Sequence, residues 1–412
     1  MTISRWPLGA GLWLFAALVL VAAPGARADI VTDANARAAE TVSRLPAPPI
    51  TVRTMAIVQV SVFEAVNAIT ARYPAYRAKL APAPGASIDA AVASATRTAL
   101  LKLMPPAQQA AIEADYQALV AGVPDGPAKA GGIALGEQAA NAIVAMCADD
   151  GVIAPDAYRP HAAPGVYVPT VIPAVAHWGK RRPWAMSRGD QFRPAGPPAL
   201  TSQTWARDYN EIKALGSRNS TVRTAEQTAI AKFWEATLPS VYWPIARSVA
   251  VAPGREVTDN ARFLAVAGMA MDDALIAVFD AKYTYNLWRP VTAIRNGDLD
   301  GNDATERDAG WTPFIDTPMH PEYPCAHCIV AGSLAAVLAA EIGAGPTPTL
   351  RSASYTAGGA VRTWTSTSAF AQEVALARIY DGVHYRYSTE VGSEMGRKVG
   401  ELAVRSFPKP VR

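Results

Sequence analysis

The segment His320-Pro-Glu-Tyr-Pro-Cys-Ala-His-Cys328 leads directly into an apolar run at 329–340, and this junction decides the fold. A proline-rich turn followed by a run of apolar and small residues predicts a buried core helix. The run is far shorter than the ~20 residues that a membrane-spanning helix needs. Free N–H groups and the helix dipole at 325–328 favour an anion, so the junction predicts an anion site at the start of a core helix.

Two more segments carry basic and imidazole side chains that suit the same anion. One is Lys282-Tyr-Thr-Tyr-Asn-Leu-Trp-Arg289, and the other is Arg378-Ile-Tyr-Asp-Gly-Val-His384. Lys282, Arg289 and Arg378 are cations in a chain whose formal net charge is only +3. Three cations and a helix N-terminus suit a highly charged tetrahedral oxyanion. His327 and His384 would serve for coordinate or covalent attachment and for proton transfer.

Together the three segments resemble the signature of the vanadium-dependent haloperoxidase and type-2 phosphatidic acid phosphatase superfamily. That signature reads Lys-x6-Arg-Pro, Pro-Ser-Gly-His and Ser-Arg-x5-His-x3-Asp. The matching positions are Lys282, Arg289 and Pro290, then Pro324 and His327, then Arg378 and His384. The motifs span 282–388. The helix around 53–69 and the loop at 191–194 also look like those of secreted bacterial haloperoxidase-type members.

The resemblance implies a vanadate cofactor, or phosphate in the same pocket, and assigns a role to each matched residue. The residues expected to hold the oxyanion are Lys282, Arg289, Cys325, Ala326, His327, Arg378 and His384, with Ala326 acting through nearby backbone N–H groups. His384 would be the metal ligand of vanadium in a haloperoxidase, or the nucleophile in a phosphatase. The catalytic residues would be His384, His327 as the general acid/base, and Lys282, which polarises bound peroxide.

The implied activity is oxidation of a halide, expected to be bromide, by hydrogen peroxide. His320 lies five residues before Cys325, where bromide-preferring relatives are similar in carrying histidine, so it is the candidate halide site. One alternative is a secreted acid phosphatase that acts on phosphate esters through a phosphohistidine. Another is an oxyanion-binding protein without catalysis.

The sequence departs from the family signature at four positions. Cys325 replaces serine, Ala326 replaces glycine, Ala377 replaces serine and Ser388 replaces aspartate. A thiol is a poorer hydrogen-bond donor than a hydroxyl. Without the aspartate, His384 lacks an anionic partner that would raise its basicity, which weakens the phosphatase alternative. We interpret Ser388 as the N-cap of a helix starting at 389, and a role beside His384 stays open.

The cysteines leave several interpretations open. Cys325 and Cys328 suit a structural disulfide in an oxidising compartment, a thiol-redox motif, or a zinc site with His320 and His327. A redox motif would be expected within βαβ units, and none is visible. Cys147 is interpreted as a buried packing residue.

Alanine- and leucine-rich segments with helical spacing predict an all-α helical bundle of the vanadium haloperoxidase/acid phosphatase type, with a long irregular crossover. The predicted helices are 34–44, 51–70, 87–104, 107–121, 128–149, 203–215, 224–236, 257–284, 328–342, 368–380 and 389–405. Thr224 and Gln227 form a capping-box pattern, and Gly216 and Gly343 occupy expected left-handed C-caps. The Pro/Gly-rich region 151–200 is either an interdomain linker or a loop that covers the helices.

The predicted organisation is a cleaved signal peptide at 1–28, N-terminal helices and covering loop at 29–200, and the catalytic bundle at 201–412, as one compact unit. Arg5, an apolar run and Ala26-Arg27-Ala28 favour the general secretory route, hence a periplasmic or secreted bacterial protein. A near-neutral body disfavours nucleic-acid binding, and we expect no membrane span in the mature protein. The expected partners are small-molecule substrates, and a homo-oligomer is compatible with the sequence.

Overall fold

The computed structural model describes residues 28–236 and 239–411, so most of the predicted signal peptide, residues 1–27, lies outside the described residues. The described chain is helical apart from one small sheet, which confirms the all-α prediction. Its helices are α1 (Ile30–Val42), α2 (Pro48–Thr70), α3 (Ile88–Leu103), α4 (Gln109–Val120), α5 (Pro127–Met146), α6 (Gln203–Leu215), α7 (Ala225–Trp234), α8 (Tyr242–Ala250), α9 (Val257–Tyr285), α10 (Pro290–Arg295), α11 (Ala326–Ile342), α12 (Thr367–Tyr380) and α13 (Arg386–Ser406).

Each of the eleven predicted helices is present, and three short elements were missed. These are α8, α10 and an antiparallel hairpin of β1 (Leu350–Ser354) and β2 (Ala360–Trp364). Helix α8 has nine residues and α10 has six, too few for a clear helical period. The capping box of Thr224 and Gln227 is confirmed at the start of α7.

Helix α9 lies at the centre of the bundle and packs against α2, α11 and α13. Most of its side chains are buried, because neighbouring helices surround it on several sides. Lys282 lies in its last turn and is fully buried. The core therefore places this lysine among the packed helices rather than at the surface.

Helices α11 and α13 approach closely enough for their backbones to touch. A Cβ atom added to Gly396 would lie 2.1 Å from the carbonyl oxygen of Ile329, so only glycine fits there. This packing brings the start of α11, which carries His327, next to the start of α13, which follows His384. Two predicted site segments thus meet because of a small-residue contact.

The left-handed C-caps predicted at Gly216 and Gly343 are both wrong, because Gly343 combines a positive φ of 63° with a ψ of −136°, outside the left-handed helical region. Gly216 has φ −84°, and its small size serves a close approach instead. A Cβ atom on Gly216 would lie 2.4 Å from the Cα atom of Gly382. Gly382 has φ +79° and turns the chain between α12 and His384.

The predicted helix start at 389 is also wrong, because α13 begins at Arg386 and Ser388 lies inside its first turn. Carboxylates from distant segments replace the missing side-chain cap. Asp208 on α6 accepts a hydrogen bond from the Tyr387 N–H at 2.8 Å, and Glu322 accepts one from the Tyr385 N–H at 3.1 Å. Anions suit this position because the helix dipole is positive there.

The region 151–200 has one short 3-10 turn at Trp178–Lys180 within its described residues and lies along α9. Arg181 forms ion pairs with Asp150 and with Asp272 of α9. Arg193 binds Asp280, also on α9, through two hydrogen bonds. These contacts hold the irregular segment against the bundle.

Helix α2 is the one described helix that is long and apolar enough to cross a membrane by length and composition. However, 89% of its apolar window is buried inside the protein. It packs against α3, α5 and α9. Its apolar surface therefore faces the protein core.

Candidate active site

The three predicted segments converge on one cavity of about 340 Å³. The site residues on its wall are His320, Ala326, His327, Arg378 and His384. Lys282 and Arg289 lie directly behind them and bind the backbone of the same segments. Residues that are far apart in the sequence therefore surround a single space.

Lys282 is held by backbone carbonyl groups of the turn before α11. Its Nζ donates hydrogen bonds to the carbonyl oxygens of Pro321 at 2.9 Å and Glu322 at 2.7 Å. An ammonium group has three donors, so these contacts leave one for a ligand. Burial, and then the nearby charge of Arg289, hold the pKa of Lys282 well below its usual range.

Arg289 is at the N-cap of α10 and links two histidines. Its Nε and Nη1 donate to the carbonyl oxygens of His320 at 2.7 Å and Val383 at 2.9 Å. Its Nη2 lies 2.9 Å from Nδ1 of His320, and its Nη1 lies 3.4 Å from Nε2 of His384. Burial lowers the pKa of Arg289 to about 10, so the side chain stays a cation at neutral pH.

Arg378 ends α12 and uses only part of its guanidinium group within the protein. Its Nη1 donates to the Trp234 carbonyl oxygen at 3.0 Å and to Asp381 at 2.6 Å. Its buried Nε has no hydrogen-bond partner among the described residues. Burial raises the pKa of Asp381 to about 7 although Arg378 opposes this.

The His384 ring lies between a carboxylate and a cation. Its Nδ1 is 2.8 Å from Oε1 of Glu322, and its Nε2 faces Arg289. An arginine can only donate, so Nε2 presents its lone pair and Nδ1 carries the proton that Glu322 accepts. Burial, and then the charge of Arg289, hold the pKa of His384 well below its usual range, so the ring is neutral.

Glu322 is the site residue that our sequence analysis missed. It is fully buried, and its Oε1 accepts from both the His384 ring and the Tyr385 N–H. Burial raises its pKa to about 7, although Lys282 and Arg289 lower it. The prediction that His384 lacks an anionic partner is therefore wrong. The available signal was a lone acidic residue between His320 and the apolar helix.

His327 lies in the first turn of α11 and borders the cavity. Its ring donates to the Ala236 carbonyl group, and its buried Nε2 has no partner within the described part of the chain. Burial, and then the charge of Arg378, hold its pKa well below the usual range. The Ala326 and His327 N–H groups precede the hydrogen bonds that start α11, as expected for an anion-binding helix end.

Cys325 and Cys328 form a disulfide, with their Cα atoms 5.3 Å apart. Cys325 is the N-cap of α11, and its Sγ accepts from the Cys328 N–H at 3.2 Å. An oxidised Cys325 has no thiol hydrogen, so its side chain cannot donate to an oxyanion. Within residues 28–236 and 239–411, no group of three metal-ligating side chains forms a zinc site. Cys147 is a buried free cysteine at the end of α5.

His320 lies at the boundary between the charged and apolar parts of the cavity. Its ring makes an edge contact with Phe279 at 5.3 Å between centroids, and its Nδ1 faces Arg289. The apolar wall consists of Pro46, Ala47, Pro48, Pro49, Val175, Leu275, Phe279, Ile315 and Met319. The cavity therefore has one side lined by polar and charged residues and another lined by apolar residues.

Comparison with known proteins matches this part of the chain to a described domain. Residues 262–412 match the family model of the VCPO second helical-bundle domain. A vanadium chloroperoxidase of Curvularia inaequalis is 29% identical in an alignment of 171 residues that covers 34% of this chain. The chain spans 28% of the length of that curated relative.

Solved structures match a larger part of the chain. A bacterial vanadium-dependent iodoperoxidase superposes with a TM-score of 0.78 at 24% identity, covering 93% of this chain and 98% of its own. An apo-type bacterial vanadium-dependent chloroperoxidase has a TM-score of 0.71 at 16% identity, covering 88% and 94%. At these identities the likeness shows the fold. Residues 262–412 are therefore similar to the VCPO second helical-bundle domain, and the fold is similar to that of bacterial vanadium-dependent haloperoxidases.

Proposed function

We propose that this protein is a vanadate-dependent haloperoxidase that oxidises halide, with bromide as the expected substrate, by means of hydrogen peroxide. The observation that carries the proposal is the convergence of three cations with a neutral His384 whose lone pair faces the same pocket. A tetrahedral oxyanion of high charge matches that donor set. The likeness to vanadium-dependent haloperoxidases supports the same cofactor.

The unpartnered polar atoms of the pocket fit vanadate. The buried Nε of Arg378 and the buried Nε2 of His327 have no partner among the described residues, and the third Lys282 hydrogen is available. Buried polar atoms without partners are costly unless a ligand satisfies them. Bound vanadate would activate hydrogen peroxide for attack by a halide.

The charge and protonation state of each residue around that oxyanion would determine its role. Lys282, Arg289 and Arg378 would balance its negative charge, and His384 would hold it through Nε2. His327 stays neutral at neutral pH and can accept a proton from peroxide. His320 would influence which halide binds, because its ring lies between Arg289 and Phe279 on the apolar side of the cavity.

Phosphate ester hydrolysis is the second candidate, and the contact between Glu322 and His384 specifically favours it. A histidine nucleophile needs an available lone pair and a partner for the charge that develops on the ring. The carboxylate 2.8 Å from Nδ1 supplies that partner. Vanadate and phosphate suit the same pocket, since five-coordinate vanadate imitates the transition state of phosphoryl transfer.

We also propose export to the periplasm or outside the cell. The disulfide between Cys325 and Cys328 supports this location, because such bonds persist in oxidising compartments. The apolar leader and its cleavage motif support the same route.

The test compares two reactions on the same purified protein. Vanadate-loaded protein receives peroxide with chloride, bromide or iodide, and bromination of a phenol dye is followed. Vanadate-free protein receives a chromogenic phosphate ester. We expect bromination by the wild type, loss of it in His384→Ala, and no change in His161→Ala, whose histidine is exposed and outside the site.

The outcomes separate the candidates. Ester turnover without halide oxidation would replace the haloperoxidase proposal with the phosphatase. Neither activity, with vanadate still bound, would make the chain an oxyanion-binding protein and reject both enzymatic proposals. Halide oxidation that survives in His384→Ala would overturn the assigned role of His384.

A further inference from the structure

We infer that Glu322 is the positioning residue of His384, and that it does from the turn before α11 what the family signature assigns to an aspartate at position 388. Its carboxylate holds the Nδ1 proton, so the Nε2 lone pair faces the cavity. We call the charged side of this cavity, with Lys282 and Arg289 behind His320, His327, Arg378 and His384, the anion pocket. Nothing in the family signature assigns a role to position 322. In this chain the carboxylate beside His384 therefore comes from the turn before α11 and not from position 388.

The hydrogen-bond directions around Glu322 allow one arrangement. Oε1 accepts from the Tyr385 backbone N–H at 3.1 Å, and the same atom lies 2.8 Å from Nδ1 of His384. On the other side of the ring, Nε2 faces a guanidinium group that can only donate. Both contacts require the Nδ1–H tautomer, and a carboxylate on Nδ1 makes Nε2 a better electron donor.

The backbone of Glu322 is held as firmly as its side chain. Lys282 Nζ donates to its carbonyl oxygen at 2.7 Å, and its N–H donates to the Leu287 carbonyl oxygen at 2.9 Å. The carboxylate is fully buried. Glu322 therefore connects Lys282 on α9 to His384, which precedes α13. A displacement of either side chain would move the other through Glu322.

The small side chain at position 388 leaves space for the Glu322 carboxylate. Ser388 is fully buried in the first turn of α13, and its side chain lies close enough to lower the pKa of Glu322. Two carboxylates in that space would repel each other and raise one pKa strongly. The small serine at 388 thus leaves room for the buried glutamate at 322.

The test moves the carboxylate back. The variants are Glu322→Ala, Ser388→Asp and the double variant, with Glu322→Gln as the near-isosteric form. Glu64→Gln is the matched control, because Glu64 is also buried and accepts backbone N–H bonds, but outside the site. Two readouts are used: ¹⁵N NMR of the histidine rings in ligand-free protein, and the vanadate dissociation constant by equilibrium dialysis.

We expect Glu322→Ala to mix the His384 tautomers and to weaken vanadate binding about 10- to 100-fold, the usual effect of losing such a partner. The double variant should regain the Nδ1–H tautomer and most of the affinity, whereas Ser388→Asp alone should weaken binding. Glu322→Gln should keep the tautomer and lose part of the affinity. Glu64→Gln should match the wild type.

Unchanged His384 nitrogen shifts and vanadate affinity in a folded Glu322→Ala protein would overturn the inference. If that variant does not fold, equal affinities of Glu322→Gln and Glu64→Gln would overturn it. The role rests on the proposed function only through vanadate as the anion. If the wild type binds no vanadate, the proposed function fails, and the NMR arm still decides whether Glu322 sets the His384 tautomer.

Discussion

Helix α9 contributes to two buried charge clusters that differ in how completely they are satisfied. Near its middle, Asp272 belongs to a cluster with Arg53, Asp150 and Arg181, in which two cations face two carboxylates at 2.6–2.8 Å. Roughly 15 Å further along the helix, Lys282 belongs to the anion pocket, where three cations outnumber the carboxylates of Glu322 and Asp381.

The balanced cluster satisfies nearly all of its polar atoms internally. Within it, Arg181 Nε alone lacks a hydrogen bond to the described residues, and this guanidinium stacks on Trp178 at 4.4 Å from the ring centroid. Burial would raise the pKa of Asp150, but hydrogen bonds from Arg181 and Arg53 outweigh it and leave that pKa below its usual value.

The anion pocket shows the opposite pattern, with a cationic excess, unpartnered nitrogen atoms and carboxylates whose pKa values rise to about 7. A balanced buried cluster stabilises the fold once it has formed, whereas an unbalanced one remains costly until a ligand arrives. The difference fits a structural role for the balanced cluster and the proposed binding role for the unbalanced one.

The largest expected effect comes from breaking the balanced cluster. Asp150→Ala leaves Arg53 and Arg181 without a shared carboxylate, and we expect the free energy of unfolding to fall by about 3–5 kcal/mol. Urea denaturation measures this. Asp149→Ala, at the exposed neighbouring position, should be neutral. A loss in Asp150→Ala no larger than that of the control would contradict the structural assignment.

Filling the anion pocket should stabilise the protein by a smaller amount. Vanadate at a hundredfold excess over its dissociation constant should add about 2.7 kcal/mol to the free energy of unfolding, seen as a higher Tm. Arg378→Ala should lose most of this increase at the same concentration, because Arg378 borders the cavity and its buried Nε has no partner among the described residues. Equal stabilisation of both proteins would show that the ion binds elsewhere.

Removing a cation from the pocket should hardly change stability. In Lys282→Met, removing a buried charge offsets the loss of two hydrogen bonds. We therefore expect the free energy of unfolding to stay within about 1 kcal/mol of the wild-type value. Vanadate affinity should nevertheless fall at least tenfold by equilibrium dialysis. A stability loss as large as that of Asp150→Ala would remove the contrast between the clusters.

The pH dependence of stability should have opposite signs in the two clusters. Asp381 has a folded pKa raised to about 7, so its contribution is fully present below its unfolded pKa and is lost as pH rises towards 7. Asp150 has a lowered pKa, so its contribution is present above its unfolded pKa and is lost on acidification.

Unfolding measured between pH 4 and 8 checks this difference in sign. Asp381→Asn should remove the decline that accompanies rising pH, whereas Asp316→Asn, at an exposed position, should not. An unchanged pH profile in Asp381→Asn would mean that its buried carboxyl group does not titrate in this range.

Much of the site followed from spacing. Lys282 and Arg289 lie at the end of a long apolar helix, and His327 opens another, so chemistry and position were readable together. The helical class followed from apolar periodicity, because long helices repeat their pattern often enough to be recognised. The short elements α8, α10 and the hairpin are too short to repeat an apolar pattern, so they were not predicted.

Glu322 could not be assigned by the same reasoning, because its partner His384 is remote in sequence and its effect depends on a tertiary contact. The role of Ser388 was misjudged for a related reason. Its local pattern suggests an N-cap, but carboxylates from α6 and from the turn before α11 supply the cap instead. The residues next to Glu322 and next to Ser388 in the sequence do not indicate these contacts with distant segments.

The amino-acid sequence alone thus determined the helical class and identified the basic and imidazole groups that border the pocket, because these depend on local periodicity and residue chemistry. Only the tertiary structure decided how each group is used. Close packing of α11 on α13 and burial of Glu322 set the His384 tautomer, the shifted pKa values and the atoms left without partners. These properties arise from distances and desolvation, which exist only once the chain has folded.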